Sequence, residues 1–176
     1  MPEPGRCLHK PESKRERSAL TNIYALCQHA GMIALIQRVT EARVEVDKKI
    51  IGAIDAGLLA LVAVQPGDDD ARIQRMCERL LGYRVFGDEQ GKMNKSLQDV
   101  GGGLLLISQF TLAADTHSGK RPSFSSAASP EDGLRGFERL VSLCRQQHDK
   151  VETGEFGADM KVQLINDGPV TFWLET

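Results

Sequence analysis

An α/β fold of mixed, mostly antiparallel sheets packed with two main helices follows from three patterns in the 176 residues. Short runs of period-two alternation joined by tight turns mark strands. A continuous apolar run at 57–64, Gly-Leu-Leu-Ala-Leu-Val-Ala-Val, marks a strand buried on both faces. Two stretches of helical spacing, each opened by a cap, mark the helices. Strands in blocks separated by two helices imply a sheet covered by helices.

In chain order, residues 32–39 alternate, followed by strand patterns at 43–46 and 50–54 and then by the apolar strand. Asp68-Asp69-Asp70 supplies an N-cap and acids suited to a helix N-terminus. Ile73, Met76, Cys77, Leu80 and Leu81 then repeat at helical spacing, and Gly82 ends the helix. Residues 83–86 read as a short strand and 87–93 as a loop. Gly101-Gly102-Gly103 leads into an apolar strand at 104–108. Ser129-Pro130-Glu131-Asp132 is a cap with proline at the first helical position. Its helix runs to about Gln147 and buries Leu134, Phe137, Leu140, Val141 and Cys144. Strands at 151–155, 160–165 and 170–174 complete the chain, with Gly168-Pro169 between the last two.

The length suits one domain, assigned to 32–176. Residues 1–31 hold three prolines in their first eleven positions, a Lys-Arg-Glu-Arg cluster and no sustained period. They read as a disordered leader or a mis-assigned start, with Met32 opening the domain. Of 22 basic residues five lie in 1–31, and of 24 acidic residues three, which leaves 17 against 21 in the body. A body with that excess of acid lacks the basic stripe of a protein that coats a nucleic-acid backbone. DNA is therefore not expected as a partner, and no run reaches membrane-spanning length. The four cysteines show no Cys-x-x-Cys pairing and read as reduced thiols of a cytoplasmic protein.

Several mechanisms are excluded. There is no Gly-x-Ser-x-Gly elbow, no metal-ligand spacing, and the triple glycine precedes a strand where a dinucleotide fingerprint would precede a helix. His117 and His148 read as surface residues. Two segments remain. Ser108-Gln109-Phe110-Thr111-Leu112-Ala113 puts three polar side chains and an aromatic face where a buried strand leaves the core. On its own it is either a site or a solvated strand end. Asn166-Asp167-Gly168-Pro169-Val170-Thr171 is either a turn or a rigid elbow that presents backbone atoms, because proline lacks the N–H of a ladder partner.

Together these hexapeptides resemble the two signature motifs of the D-aminoacyl-tRNA deacylase (D-tyrosyl-tRNA deacylase) family. The resemblance runs from Met32 to Thr176. It includes Leu81-Gly82-Tyr83-Arg84, Gly91-Lys92-Met93-Asn94 and Arg121-Pro122-Ser123-Phe124. It implies the family's fold and a cytoplasmic, homodimeric esterase that needs no cofactor or metal. Such an enzyme cleaves the ester joining a D-amino acid to the 3′ end of tRNA, and also clears glycine mischarged on tRNA-Ala.

The resemblance further implies a cis Gly168-Pro169 that crosses into the partner's pocket, where its carbonyls bar an L side chain. Backbone amides at Phe110 and Thr111 would hold the oxyanion, with Phe110 also stacking on the terminal adenine. Gln109 and Thr111 would orient substrate or water, beside Ser108. Arg38 would pin the elbow through hydrogen bonds to carbonyls, Asn166 would belong to the substrate-binding residues, and Met160 would line the amino-acid pocket. Lys92, Lys95, Lys120 and Arg121 would supply the few phosphate contacts. Two alternatives stand beside this reading: a non-catalytic module for the 3′ end of tRNA, and a small-molecule esterase of the same fold.

Overall fold

The computed structural model describes residues 31–117, 119–125 and 127–176. Apart from Gly31, the segment read as a leader lies outside the described residues. Eight strands run in the order β1 (Ile33–Val46), β2 (Lys49–Ile54), β3 (Gly57–Ala63), β4 (Phe86–Gly87), β5 (Met93–Lys95), β6 (Gly103–Ser108), β7 (Val151–Thr153) and β8 (Lys161–Glu175). The helices are α1 (Asp70–Gly82), α2 (Leu97–Val100) and α3 (Pro130–Gln147). The main sheet has the order β2-β1-β3-β6-β7, with β8 on the other flank of β1. Only β3–β6 and β6–β7 are parallel. The sheet is thus mixed and mostly antiparallel, in agreement with the sequence pattern.

β3 and β6 are apolar on both faces because both faces are covered. On one side Leu58, Ala60, Val62, Leu104 and Leu106 pack with Met76 and Leu80 of α1 and with Phe137 and Leu140 of α3. On the other, Leu59, Leu105 and Ile107 meet Val39, Ala42 and Val44 of β1 and Ile54 of β2. Each such side chain taken fully out of water contributes about 1.5–3 kcal/mol. Cys77 and Cys144 meet between α1 and α3 with their sulfurs 3.5 Å apart, as packing thiols. Both long helices are capped as expected: Asp69 accepts from the Arg72 amide, and Ser129 from the Asp132 amide. No helix among the described residues is long and apolar enough to cross a membrane.

The structure corrects five sequence expectations, the smallest being Leu134, which is exposed where its helical spacing placed it in the core. The patterns at 32–39 and 43–46 are one strand, because β1 pairs β8 along almost its full length through register shifts around Val39. The strand at 83–86 shrinks to Phe86–Gly87, paired with Met93–Lys95 across what read as a loop. Helix α2 was not expected. It has only four residues, too few for a period, and rests on a capping box between Ser96 and Asp99. The last correction concerns the elbow. The runs at 160–165 and 170–174 belong to one strand, β8, that continues past Gly168-Pro169. Val39 pairs Asn166 while Gln37 pairs Thr171, so residues 167–170 stand off the ladder. The missing proline N–H therefore costs no ladder bond.

Candidate active site

Strand β6 carries Ser108 to the sheet end, where the Gln109 amide donates to Val62 O at 2.7 Å. The chain then turns into a 3-10 turn, Phe110–Ala113. Its first two amides, Phe110 and Thr111, have no hydrogen-bond acceptor within the described chain. Such orphan donors are the normal state of a helical N-terminus. The Gln109 Nε2 donates to Thr111 Oγ1 at 2.6 Å, which fixes both polar side chains.

Beside this turn lies a cavity of about 450 Å³ walled by Ser108, Gln109, Phe110, Phe137, Phe156, Met160 and Val162, among others. The start of α3 forms another wall through Ser129, Pro130 and Gly133. The lining is mostly apolar with a few convergent polar groups, the usual character of a small-molecule site. Met160 both lines this cavity and packs against the Leu59 cluster. Phe110 is 58% exposed, and its one ring neighbour among the described residues is Phe124, itself exposed, at 5.1 Å between centroids.

The second cluster gathers at the elbow. The Gly168-Pro169 bond is cis, and both residues are exposed. Asn166 brackets them: its Nδ2 donates to Val170 O at 3.1 Å and its Oδ1 accepts from the Val170 amide at 3.2 Å. Arg38 holds the near side. Its Nε donates to Asp167 O at 2.9 Å and lies 3.0 Å from Asp167 Oδ2. Its Nη1 donates to Val85 O at 2.6 Å. The guanidinium therefore ties the elbow to the segment after α1. A lysine has one point of charge and cannot make the fork. Arg38→Lys is expected to lower stability by about 2 kcal/mol, read as a fall in Tm of roughly 5 °C; an unchanged Tm would show that the fork holds nothing.

The structure thus brings Ser108, Gln109, Phe110 and Met160 together at the cavity, with Thr111 tied to Gln109. It groups Arg38, Asn166, Gly168 and Pro169 separately. None of these four reaches the cavity wall. Gly168 lies six residues along β8 from Val162, on the order of 20 Å at the rise of a strand. Sequence reasoning missed Phe156, which falls between two strand patterns, and the placement of Phe137 in the wall, since Phe137 read only as core. Phe124 was visible within Arg121-Pro122-Ser123-Phe124, but its contact with Phe110 was not. Lys120 and Arg121 stand on the loop that carries Phe124, and Lys92 and Lys95 on the β4–β5 hairpin. His117 is exposed and paired with Asp115 at 2.8 Å, away from the cavity wall.

A family model described as D-Tyr-tRNA(Tyr) deacylase matches residues 35–175. A D-aminoacyl-tRNA deacylase of Stenotrophomonas maltophilia (strain K279a) is 65% identical over 144 residues, covering 81% of this chain and 99% of that protein. One of Xanthomonas campestris pv. campestris (strain 8004) is 63% identical over the same span and shares. Among solved structures, a c-Myc DNA unwinding element binding protein is similar at TM-score 0.79 and 35% identity, over 82% of this chain and 98% of its own. A probable eukaryotic D-amino acid tRNA deacylase shares the fold at TM-score 0.74 and 14% identity, over 82% and 99%. The fold and the similarity define an enzyme, a hydrolase. The chain belongs to the D-Tyr-tRNA(Tyr) deacylase family.

Proposed function

We propose that this protein hydrolyses the ester of D-aminoacyl-tRNA, and of glycine mischarged on tRNA-Ala, as a homodimer in which each elbow serves the other subunit's cavity. The observation that carries this reading is the separation of the two clusters within one chain. Donors for a reacting carbonyl stand at Phe110 and Thr111 beside the cavity, and the elbow lines no part of that cavity. A two-fold dimer brings the same pair of patches together twice. Apolar side chains left open on one sheet face favour it: Trp173 is 47% exposed, and its neighbours Leu35 and Leu61 are only half-buried.

The chemistry follows from the groups present. The free Phe110 and Thr111 amides are suited to an oxyanion that develops on the scissile carbonyl. Gln109 and Thr111, locked by their mutual hydrogen bond, orient the attacking water or the ester. Phe110 offers its face to the terminal base. The exposed carbonyls of the elbow meet the α-carbon from the side an L side chain would occupy. A D residue or glycine leaves that side to hydrogen, so selection works by a clash against the wrong hand. The acidic body favours contact with the tRNA end over its whole backbone.

The test is to incubate the protein with D-Tyr-tRNA, L-Tyr-tRNA and a D-tyrosine methyl ester. Rapid release from the first alone is expected. Equal hydrolysis of the D- and L-aminoacyl species would overturn the chirality filter. Binding without hydrolysis would favour a non-catalytic 3′-end module, and rapid cleavage of the methyl ester a small-molecule esterase.

A further inference from the structure

Among the described residues, three buried side-chain polar atoms lack a hydrogen-bond partner: Asp68 Oδ1, Arg72 Nη1 and Thr176 Oγ1. They surround one point, the start of β1. Asp68 and Arg72 form an ion pair stretched to 3.7 Å, and the Asp68 side chain has no exposed surface. A Cβ placed on Gly31 would lie 1.7 Å from Thr176 O and 3.1 Å from Arg72 Cδ. The Thr176 amide donates to Met32 O at 3.2 Å. Asp68 accepts from the Gln65 amide at 2.7 Å, and the Met32 backbone N–H acts on the same carboxylate from nearby. Burial pushes its carboxyl above the usual carboxylate range despite these donors. An enclosed carboxylate in this state is short of donors and of positive charge.

The backbone N–H of Met32 lies near enough to lower the pKa of the Asp68 carboxyl. As an amide it offers one hydrogen and no charge. As an α-ammonium it would offer three hydrogens and a full positive charge, enough for both Asp68 oxygens and the Thr176 carbonyl. The space ahead of Met32 is equally selective. Its wall is backbone, which cannot rotate away, so only glycine or no residue fits there. The bacterial relatives are matched almost end to end by 144 residues of this chain, about the length from Met32 onward.

We propose that Asp68, Arg72 and Thr176 form a socket for a free α-ammonium on Met32, filled in a form of the chain whose first residue is Met32. The ammonium pairs with the Asp68 carboxylate and locks the start of β1 to the end of β8 and the first turn of α1. This inference is independent of the reaction proposed above.

The test compares chains 1–176 and 32–176, each with Asp68 and with Asp68→Asn, by thermal melting. The shorter chain holds every described strand and helix, at the length of the matched relatives. Asp68→Asn is expected to lower the Tm of 32–176 by about 5–10 °C more than that of 1–176. Equal shifts in the two lengths would overturn the proposal, as would failure of 32–176 to fold. Acetylating the α-amine of 32–176 provides a second reading that needs no substitution. It is expected to lower the Tm by a similar amount, and an unchanged Tm after acetylation would also overturn the socket.

Discussion

Gly168→Ala is expected to reduce hydrolysis of D-aminoacyl-tRNA by about 10²-fold while leaving the fold intact. A Cβ at this position would lie 1.9 Å from the Val170 amide nitrogen and 2.8 Å from Asn166 Oδ1. The nearest atom is backbone, so the clash is relieved only by moving the elbow. Moving it breaks the Asn166 bracket on Val170. A displacement of about 1 Å in a positioning element costs on the order of 10²-fold in rate. The fold survives because residues 167–170 stand off the β1–β8 ladder. At an unconstrained exposed position the same change usually stabilises by about 0.4–1 kcal/mol through the unfolded chain. Activity and melting measured on one preparation separate the cases: full activity with a raised Tm would remove the elbow from the site.

Phe110→Ala is expected to lower kcat/KM for D-aminoacyl-tRNA by about 10–100-fold, with little change in Tm. The magnitude comes from base stacking on an aromatic ring, about 1–3 kcal/mol per base. The small effect on Tm comes from exposure: the ring is 58% open and its ring contact is Phe124, which is also exposed. A core phenylalanine behaves in the opposite way. Phe137 is 4% exposed, and truncating it costs about 3–5 kcal/mol. A fall in Tm of many degrees for Phe110→Ala, with kcat/KM preserved, would make it a packing residue.

What was legible in the sequence was what local chemistry dictates. The apolar run of β3 announced a strand buried on both faces, that of β6 an apolar strand, and Asp69 and Ser129 announced the two long helices. What escaped depended on partners distant in the chain. β1 is one strand because β8 runs beside nearly all of it, and no periodicity in 32–46 reports that neighbour. Pro169 read as a break because proline lacks a donor, whereas here its position requires none. Half of the site was equally hidden. Ser108, Gln109 and Phe110 were visible as polar and aromatic residues at a strand end. Phe156 fell between two strand patterns, and Phe137 as cavity wall was indistinguishable from core until α3 and the segment before β8 closed over Ile107. The resemblance alone singled out Arg38, because two of its acceptors, at Asp167 and Val85, are carbonyl oxygens that no side-chain pattern reveals.

Subunit mixing tests most directly whether the elbow of one chain completes the cavity of another. One preparation carries Gly168→Ala with its cavity intact. The other carries Phe110→Ala and Thr111→Ala with its elbow intact. Each alone is expected to be nearly inactive on D-Tyr-tRNA. After dissociation and random reassociation, about half of the dimers are mixed, and each mixed dimer has one site with an intact cavity and an intact elbow. Recovery to about a quarter of the unsubstituted rate is the predicted result. No recovery, with mixed dimers demonstrably formed, would contradict the account.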